Sequence, residues 1–307
     1  MENNKRKIEQ PLRRKVTLVP VGGLANRLRA VCSGIALALR EDCDMEILWF
    51  TREEMYCPYH RLFTLRPDLE AKGITIREAN WKDRLFNVYP NRNNLWLTTL
   101  PLLLQYDFFV SAHELQEWVE NTPMRVEGVF KQNDWEHIII YSRSSVIDER
   151  HMYHYIEPSV EVLQTCKVLM AGWSEDIVGL HIRRSHTRKY REFGSTELFI
   201  KTMQKMVEED PQVEFFLATN SLDERERLKT IFSGRVFTPY TEPGRHTPEG
   251  IVDAFAEMLA LSQTSRILAT RDSTFSLVAS KIGGIPYRHI SIYSQEDSTG
   301  IYDTRRN

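Results

Sequence analysis

The sequence has little net charge and no long hydrophobic run. Its 307 residues include 40 Lys and Arg against 42 Asp and Glu, which leaves a net charge of -2. Proteins that bind nucleic acid non-specifically usually present a basic surface, so no nucleic-acid partner is expected. The charged N-terminal segment is followed by no apolar stretch typical of a signal peptide or membrane anchor. We therefore predict a cytoplasmic protein without stable membrane insertion.

The cysteines and histidines form no recognisable metal or redox motif. The four cysteines lack C-x-x-C spacing, which predicts reduced thiols, with a Cys43–Cys57 disulfide as the alternative. The nine histidines are scattered. His151 and His154 are three residues apart, but no nearby Glu or His completes a ligand set. We expect neither a metal ion nor a bound cofactor.

Several common fingerprints are also missing. The chain contains no G-x-G-x-x-G of dinucleotide-binding enzymes, no P-loop and no G-x-S-x-G of serine hydrolases. A nicotinamide-dependent oxidoreductase and a Ser-His-Asp hydrolase are therefore disfavoured.

Apolar runs and amphipathic segments instead alternate along the chain. Val16–Val21 and Met45–Phe50 have the pattern of buried strands, and Ala25–Arg40 between them has that of a helix. This order predicts a right-handed βαβ unit and a parallel sheet. Residues 1–14 are predicted to form a flexible tail and 15–157 a Rossmann-like domain. Within residues 53–135 the pattern is weaker. Residues 56–60 and 90–94 resemble loops, and residues 108–110 could form a strand. Residues 138–141, further along the chain, could form another strand.

The alternation repeats from residue 158 to the end. Helices are predicted near 158–171, 198–208, 223–231, 251–262 and 277–282, and strands near 178–182, 214–218, 235–238 and 266–270. Alternating strands and helices indicate a second doubly wound domain over 158–307.

The stretch Val178–Ser185 is an apolar strand that ends in His181, Arg183 and Arg184. Ligands of open α/β sheets bind outside the carboxyl ends of strands, and guanidiniums match phosphate oxygens. One hypothesis is therefore a diphosphate site. The alternative is that one arginine pairs with a structural carboxylate while the other is solvated.

Two further strand-to-helix junctions could bind anions. Gly22–Arg27 brings backbone N–H groups to a helix start, although its spacing favours a plain turn with Asn26 as the cap. Thr270–Ser276 adds hydroxyl groups at a second junction, where Asp272 or Ser273 could equally be an N-cap.

Two more positions could contact a nucleoside. Thr219, Asn220 or Asp223 could reach a ribose or base, although their spacing favours capping of the next helix. Asp253 interrupts an apolar stretch and needs a hydrogen-bond donor, which a nucleobase could supply if the carboxylate does not face solvent.

Together these segments resemble the fucosyltransferase superfamily of nodulation, core N-glycan and protein O-fucosyltransferases. His181-Ile-Arg-Arg-Ser-His186 looks like the H-x-R-R-x-D donor motif, Gly22–Arg27 like the N-terminal glycine turn, and Asp253 through Ser276 like the C-terminal donor segment. The resemblance is thin between residues 53 and 155.

The resemblance implies a GT-B architecture: α/β, with two Rossmann-like doubly wound domains facing across a cleft. It implies metal-independent, inverting transfer from GDP-fucose to a glycan or peptide hydroxyl. Arg183 would be the catalytic residue that stabilises departing GDP. Asp253 would meet guanine or ribose. The implied donor-binding residues are Gly22, Gly23, Asn26, His181, Arg184, Asp253, Ser273, Thr274, Phe275 and Ser276.

One position departs from the family pattern. His186 occupies the place of the motif's Asp, so an arginine positioned by that Asp would need another partner. Glu192 and Asp272 are candidate bases by location only. The alternative function is a non-catalytic GT-B domain that binds a glycan or a partner protein.

Overall fold

The computed structural model describes residues 13–52, 54–86, 104–110, 135–147, 149, 151–184, 195–239, 244, 246–271, 273–290 and 301–303. Two sheets dominate this part of the chain, one in each half, and all their strand pairs but one are parallel. Each is built from the strand and helix alternation that the sequence predicts.

The N-terminal half contains a five-stranded parallel sheet. Its order is β4-β2-β1-β6-β5, and β1 is buried because it pairs with β2 on one side and β6 on the other. The predicted βαβ opening is confirmed as β1, α1 and β2. The elements of this half are β1 (Lys15–Pro20), α1 (Leu24–Glu41), β2 (Asp44–Trp49), β3 (Phe63–Leu65), β4 (Ile74–Glu78), α2 (Trp81–Phe86), β5 (Phe108–Val110) and β6 (His137–Ser142).

The C-terminal half contains a six-stranded sheet of order β10-β9-β8-β11-β12-β13. Strands β8 to β12 pair in parallel, whereas β13 runs antiparallel to its neighbour β12. The elements are β7 (Ile156–Pro158), α3 (Val160–Leu169), β8 (Val178–Ile182), α4 (Thr196–Glu209), β9 (Phe215–Thr219), α5 (Leu222–Ile231), β10 (Val236–Phe237), α6 (Pro248–Ser262), β11 (Ile267–Thr270), α7 (Thr274–Gly283), β12 (Tyr287–Ile290) and β13 (Ile301–Asp303).

Short elements that the sequence pattern did not predict join the two sheets. Strands β3 and β7 pair antiparallel, so a segment of the first half contacts the start of the second. Three 3-10 helices flank this junction at Tyr59–Arg61, Pro67–Lys72 and Met152–Tyr155. Strands β4, β12 and β13 are also absent from the sequence-based prediction, because each has only three to five residues.

One hydrophobic cluster runs through both halves. It includes Leu28 of α1, Phe255 of α6 and Val278 of α7, all at most 1% exposed. Helices α6 and α7 approach closely at Gly283, where a Cβ would lie 2.0 Å from the Ser262 carbonyl oxygen. A larger residue there would have to separate the two helices.

The four cysteines are free and buried. The prediction of reduced thiols is therefore confirmed, and the alternative Cys43–Cys57 disulfide is wrong. Burial raises the pKa of Cys43 to about 11 and that of Cys57 to about 12, because an apolar environment disfavours the thiolate. Among the described helices, none is long and apolar enough to cross a membrane.

Candidate active site

A cavity of about 80 Å³ lies at the carboxyl ends of the C-terminal strands. Strand β8 has β9 on one side and β11 on the other, so the chain builds the sheet outward in both directions from this point. Such a switch point leaves a crevice in which α/β proteins bind ligands. The lining residues are His181, Arg183, Thr219, Asn220, Gly244, Gly250, Asp253, Ala254, Glu257 and Phe275.

His181 lies at the base of this cavity. It is 7% exposed, and its Nδ1 is 3.1 Å from the Ser273 hydroxyl. The Phe275 ring stacks on the imidazole with centroids 4.9 Å apart and an interplanar angle of 24°. The ring of His181 is thus fixed by two residues from the start of α7.

Arg183 follows β8 directly and lines the same cavity. Its backbone N–H donates to the buried Thr270 hydroxyl at 3.2 Å. This bond ties the end of β8 to the end of β11, which fixes the point from which the Arg183 side chain leaves the backbone.

Arg184 is held by protein groups instead. Its guanidinium donates from Nε to Glu224 Oε1 at 2.7 Å and from Nη2 to the Thr196 hydroxyl at 2.6 Å. The Asn220 side chain pairs with the Arg184 backbone in both directions at 2.7 Å. The structure therefore matches the alternative of one arginine paired with a structural carboxylate. A direct donor contact of Arg184 stays a prediction that this geometry does not favour.

Glu224 of helix α5 thus supplies the carboxylate partner of Arg184. The two residues are 40 positions apart, so no local pattern reveals the pairing. The motif position His186 and the candidate bases Glu192 and Asp272 lie outside the described residues.

The end of β9 contributes polar groups without capping the next helix. Thr219 and Asn220 line the cavity. The cap of α5 is Ser221, whose hydroxyl accepts from the Glu224 N–H at 3.4 Å. The expectation that Thr219, Asn220 or Asp223 would cap this helix is therefore wrong.

Helix α6 presents two carboxylates to the cavity. Asp253 and Glu257 both line it, as their i, i+4 spacing allows. The carboxylate of Asp253 has no hydrogen bond or ion pair with any described residue. Sequence reasoning missed Glu257, although its position one turn after Asp253 was a usable signal. This wall can accept hydrogen bonds from a ligand.

The first turn of α6 lies close to the backbone of Gly244. Thr247 caps the helix by accepting from the Gly250 N–H at 3.1 Å. A Cβ on Gly250 would be 2.4 Å from the Gly244 carbonyl oxygen. Glycine is therefore required for this close approach at the edge of the cavity.

The predicted hydroxyl cluster of α7 divides into accessible and buried members. Thr274 and Phe275 are half-buried, whereas Ser276 is fully buried and donates to the Ser273 carbonyl at 3.2 Å. Ser273 is the N-cap residue, but its hydroxyl contacts His181 and makes no cap bond. Side-chain contacts of Ser276 with a donor stay a prediction that burial disfavours.

The N-terminal glycine turn joins β1 to α1. Gly22 has a φ of 84° and donates its N–H to Glu54 Oε2 at 3.0 Å. Gly23 is the N-cap residue, so the alternative of an Asn26 cap is wrong. Gly23 is exposed and Asn26 half-buried, and neither lines the cavity described above.

Arg27 of the same segment has a structural role. Its side chain is 1% exposed, and it donates to the carbonyl oxygens of Gly22 at 2.8 Å and Phe50 at 2.7 Å. The guanidinium also lies 4.9 Å from the centre of the Trp49 ring. These contacts fix the turn after β1 against the end of β2.

The comparisons with known proteins rest on structure alone. No family model and no curated protein sequence matches the chain. Fucosyltransferase NodZ from Bradyrhizobium matches over 95% of this chain and 99% of its own, with 17% identity and a TM-score of 0.61. An Arabidopsis thaliana FUT1 variant in complex with GDP matches over 90% and 70%, with 12% identity and a TM-score of 0.55. POFUT1 in complex with GDP matches over 91% and 99%, with 11% identity and a TM-score of 0.52.

The chain has the fold of these fucosyltransferases. The predicted fold class, α/β with two Rossmann-like halves in a GT-B arrangement, is confirmed.

Proposed function

We propose that the protein is an inverting, metal-independent glycosyltransferase that transfers fucose from GDP-fucose to a hydroxyl group of a glycan or peptide. The observation that carries this proposal is the cavity at the switch point of the second sheet. It brings together His181, Arg183, Asp253 and Phe275, within a fold shared with GDP-bound fucosyltransferases.

Arg183 has the central role in the proposed reaction. The acceptor oxygen forms a bond to the anomeric carbon of fucose while the bond from that carbon to the β-phosphate oxygen breaks. The electron pair of the broken bond stays on GDP, and the proton of the acceptor hydroxyl passes to solvent water. A guanidinium on the β-phosphate stabilises the charge that develops there, which lowers the barrier.

The start of α7 supports the same diphosphate in this proposal. The first turn of a helix offers unpaired N–H groups and the positive end of its dipole. The side chains of Ser273 and Phe275 contact His181, so the start of α7 lies beside the cavity. We therefore assign the hydrogen bonds to the diphosphate to the backbone N–H groups of Ser273 and Thr274. The Gly22, Gly23 and Asn26 turn would approach the donor from the N-terminal half.

Nucleoside recognition is assigned to helix α6. The carboxylate of Asp253 has no partner among the described residues, and a carboxylate can accept from both the ring N–H and the amino group of guanine. Uracil lacks the amino group, and adenine lacks the ring N–H. The base would therefore provide the selectivity that the diphosphate does not.

In this proposal each half of the chain binds one of the two substrates. We assign the acceptor to residues 15–157 and the donor to residues 158–307, because the described cavity belongs to the second half. Four free buried thiols support a reducing, cytoplasmic location.

Nucleotide binding tests this proposal directly. At a hundredfold excess over its dissociation constant, GDP should stabilise the protein by roughly 2.7 kcal/mol, whereas equal concentrations of ADP and UDP should do little. Asp253→Ala should flatten this preference more than it weakens diphosphate binding. Asp176→Ala, a change at an exposed carboxylate outside the cavity, is the matched control.

The outcomes separate the candidate functions. A shift with GDP, together with release of fucose or its transfer from GDP-fucose, supports the proposal. Equal shifts with all three nucleotides would contradict the assigned role of Asp253 and leave the donor open. A protein that binds none of them and leaves GDP-fucose intact would be the non-catalytic GT-B domain.

A further inference from the structure

The two arginines at the cavity follow β8 just beyond the end of its backbone pairing. Pairing of β8 with β9 ends at Ile182, and its pairing with β11 ends one residue earlier, at His181. Arg183 and Arg184 come directly after the strand. A backbone beyond the end of a strand ladder needs other hydrogen-bond partners to fix it in place.

Side chains from both neighbouring strands supply such partners. On the β11 side, the hydroxyl of Thr270 accepts from the Arg183 N–H at 3.2 Å. On the β9 side, Asn220 Oδ1 accepts from the Arg184 N–H, and Asn220 Nδ2 donates to the Arg184 carbonyl oxygen, both at 2.7 Å. These bonds continue on both sides of β8 the pairing that the strand backbones leave off.

Each side chain suits the backbone groups that it meets. A side-chain amide carries a donor and an acceptor next to each other, as a peptide group does, so Asn220 can pair with the N–H and the C=O of one residue at once. Thr270 is fully buried. A valine there would have nearly the same shape but would face the Arg183 N–H with a methyl group, which leaves that donor without its bond.

We propose that Asn220 and Thr270 are positioning residues for the guanidinium of Arg183. The inference rests on the proposed function, in which that guanidinium binds the β-phosphate of GDP. A bidentate contact with a phosphate requires the planar guanidinium at one place and in one orientation. The backbone from which the long side chain leaves must therefore be fixed, and both residues act through that backbone and not through a bond to the phosphate.

The ratio of GDP to GMP affinity measures how well Arg183 reaches the β-phosphate, because GMP lacks that phosphate. Titration calorimetry of the full chain with both nucleotides gives this ratio. Thr270→Val and Asn220→Ala should each lower it by about tenfold, with GMP affinity nearly unchanged, because a displaced guanidinium loses its bidentate contact. Arg183→Ala should lower it further. Thr270→Ser keeps the hydroxyl and should retain most of the preference for GDP.

Thr17→Val is the matched control. Thr17 is a strand threonine of β1 that is 1% exposed, and its hydroxyl lies 2.9 Å from His137 Nε2. It does not line the cavity. Its substitution removes one hydrogen bond from the other sheet, so it should lower the melting temperature and leave the GDP-to-GMP ratio unchanged. A general loss of stability is thereby separated from misplacement of Arg183.

Double variants test whether the effect passes through Arg183. If Thr270 and Asn220 act only by positioning that side chain, their substitution should lower the GDP affinity of Arg183→Ala little further, since coupled residues are not additive. A loss as large as in the otherwise unchanged chain would mean that the residue acts on the nucleotide independently, and it would contradict the positioning role.

The remaining outcomes distinguish this inference from the proposed function. A lowered ratio in Arg183→Ala, with an unchanged ratio in Thr270→Val and Asn220→Ala, would overturn the inference alone. An unchanged ratio in Arg183→Ala would overturn the role assigned to Arg183, and this inference with it. Asn220 is exposed, so Asn220→Ala provides the test if the buried substitution Thr270→Val prevents folding.

Discussion

The guanidinium of Arg184 donates to the carboxylate of Glu224 over 2.7 Å, with the two side chains 25% and 14% exposed. Arg183, its neighbour in sequence, lines the candidate active site. Two adjacent arginines therefore have different surroundings: Arg183 lines the cavity, and Arg184 ties the end of β8 to helix α5. The carboxylate that holds Arg184 comes from helix α5, 40 positions further along the chain.

Replacing Glu224 should disturb both stability and donor binding. Glu224→Ala leaves the half-buried Arg184 without its carboxylate, which should cost roughly 1–3 kcal/mol in unfolding free energy. Because Arg184 would no longer be tied to α5, the neighbouring Arg183 would lose support, and the KM for the donor should rise. Glu224→Gln, which keeps a hydrogen-bond acceptor, should restore part of both. Denaturant unfolding and donor kinetics measure these effects.

Glu226→Ala is the matched control on the same helix. That side chain is 68% exposed, and its ammonium partner Lys229 is 3.7 Å away, so its loss should change stability by about 0.5 kcal/mol or less. If Glu224→Ala were as mild as this control, Glu224 would not be a positioning residue.

Arg183→Ala should abolish transfer while leaving the fold intact. The substitution removes the charge assigned to the departing diphosphate, which should raise the barrier by roughly 3 kcal/mol or more. Arg183→Lys should not restore activity, since a point charge lacks the bidentate geometry of a guanidinium. Turnover is measured together with the melting temperature. Near-normal turnover in a folded Arg183→Ala protein would refute the assigned role.

The sequence could predict the parts of the site that depend on local rules. His181 and Arg183 end an apolar strand, and carboxyl ends of parallel strands meet at one edge. Asp253 was singled out by its apolar neighbours in sequence, whereas Phe275 was implied by the resemblance, and both line the same cavity.

Other features depend on contacts between distant segments. The Arg184–Glu224 pair, the approach of Gly250 to Gly244 and the pairing of β3 with β7 join residues whose proximity only the folded chain creates. The different roles of Arg183 and Arg184 could not be predicted for the same reason. The alternating directions of side chains at the end of a strand do not show which carboxylate each arginine can reach.

Gly250→Ala should damage both stability and nucleotide binding. The new Cβ would lie 2.4 Å from the Gly244 carbonyl oxygen, so the first turn of α6 would have to move, at roughly 1–3 kcal/mol. The movement would displace Asp253, one turn further along. Thermal unfolding with and without GDP separates the two effects.

Gly172→Ala provides the comparison. Gly172 has a φ of 82°, and a Cβ added there would have no atom of the described residues within 4 Å. Alanine at this position should therefore cost roughly 1–2 kcal/mol of backbone strain without a steric clash. It should leave GDP affinity unchanged. Equal loss of GDP affinity in both variants would show that general destabilisation, and not the position of α6, is responsible.

Chelation tests how the diphosphate is neutralised. If the Arg183 guanidinium and the N–H groups at the start of α7 balance the charge of the departing GDP, they take the role that a divalent cation has in other transferases. In the described part of the chain, no cluster of three or more His, Cys, Asp or Glu side chains is placed to hold an ion. On the role assigned to Arg183, turnover should survive EDTA, with an unchanged melting temperature as the control for folding. Loss of activity on chelation, restored by manganese or magnesium, would transfer the leaving-group role from Arg183 to a metal ion.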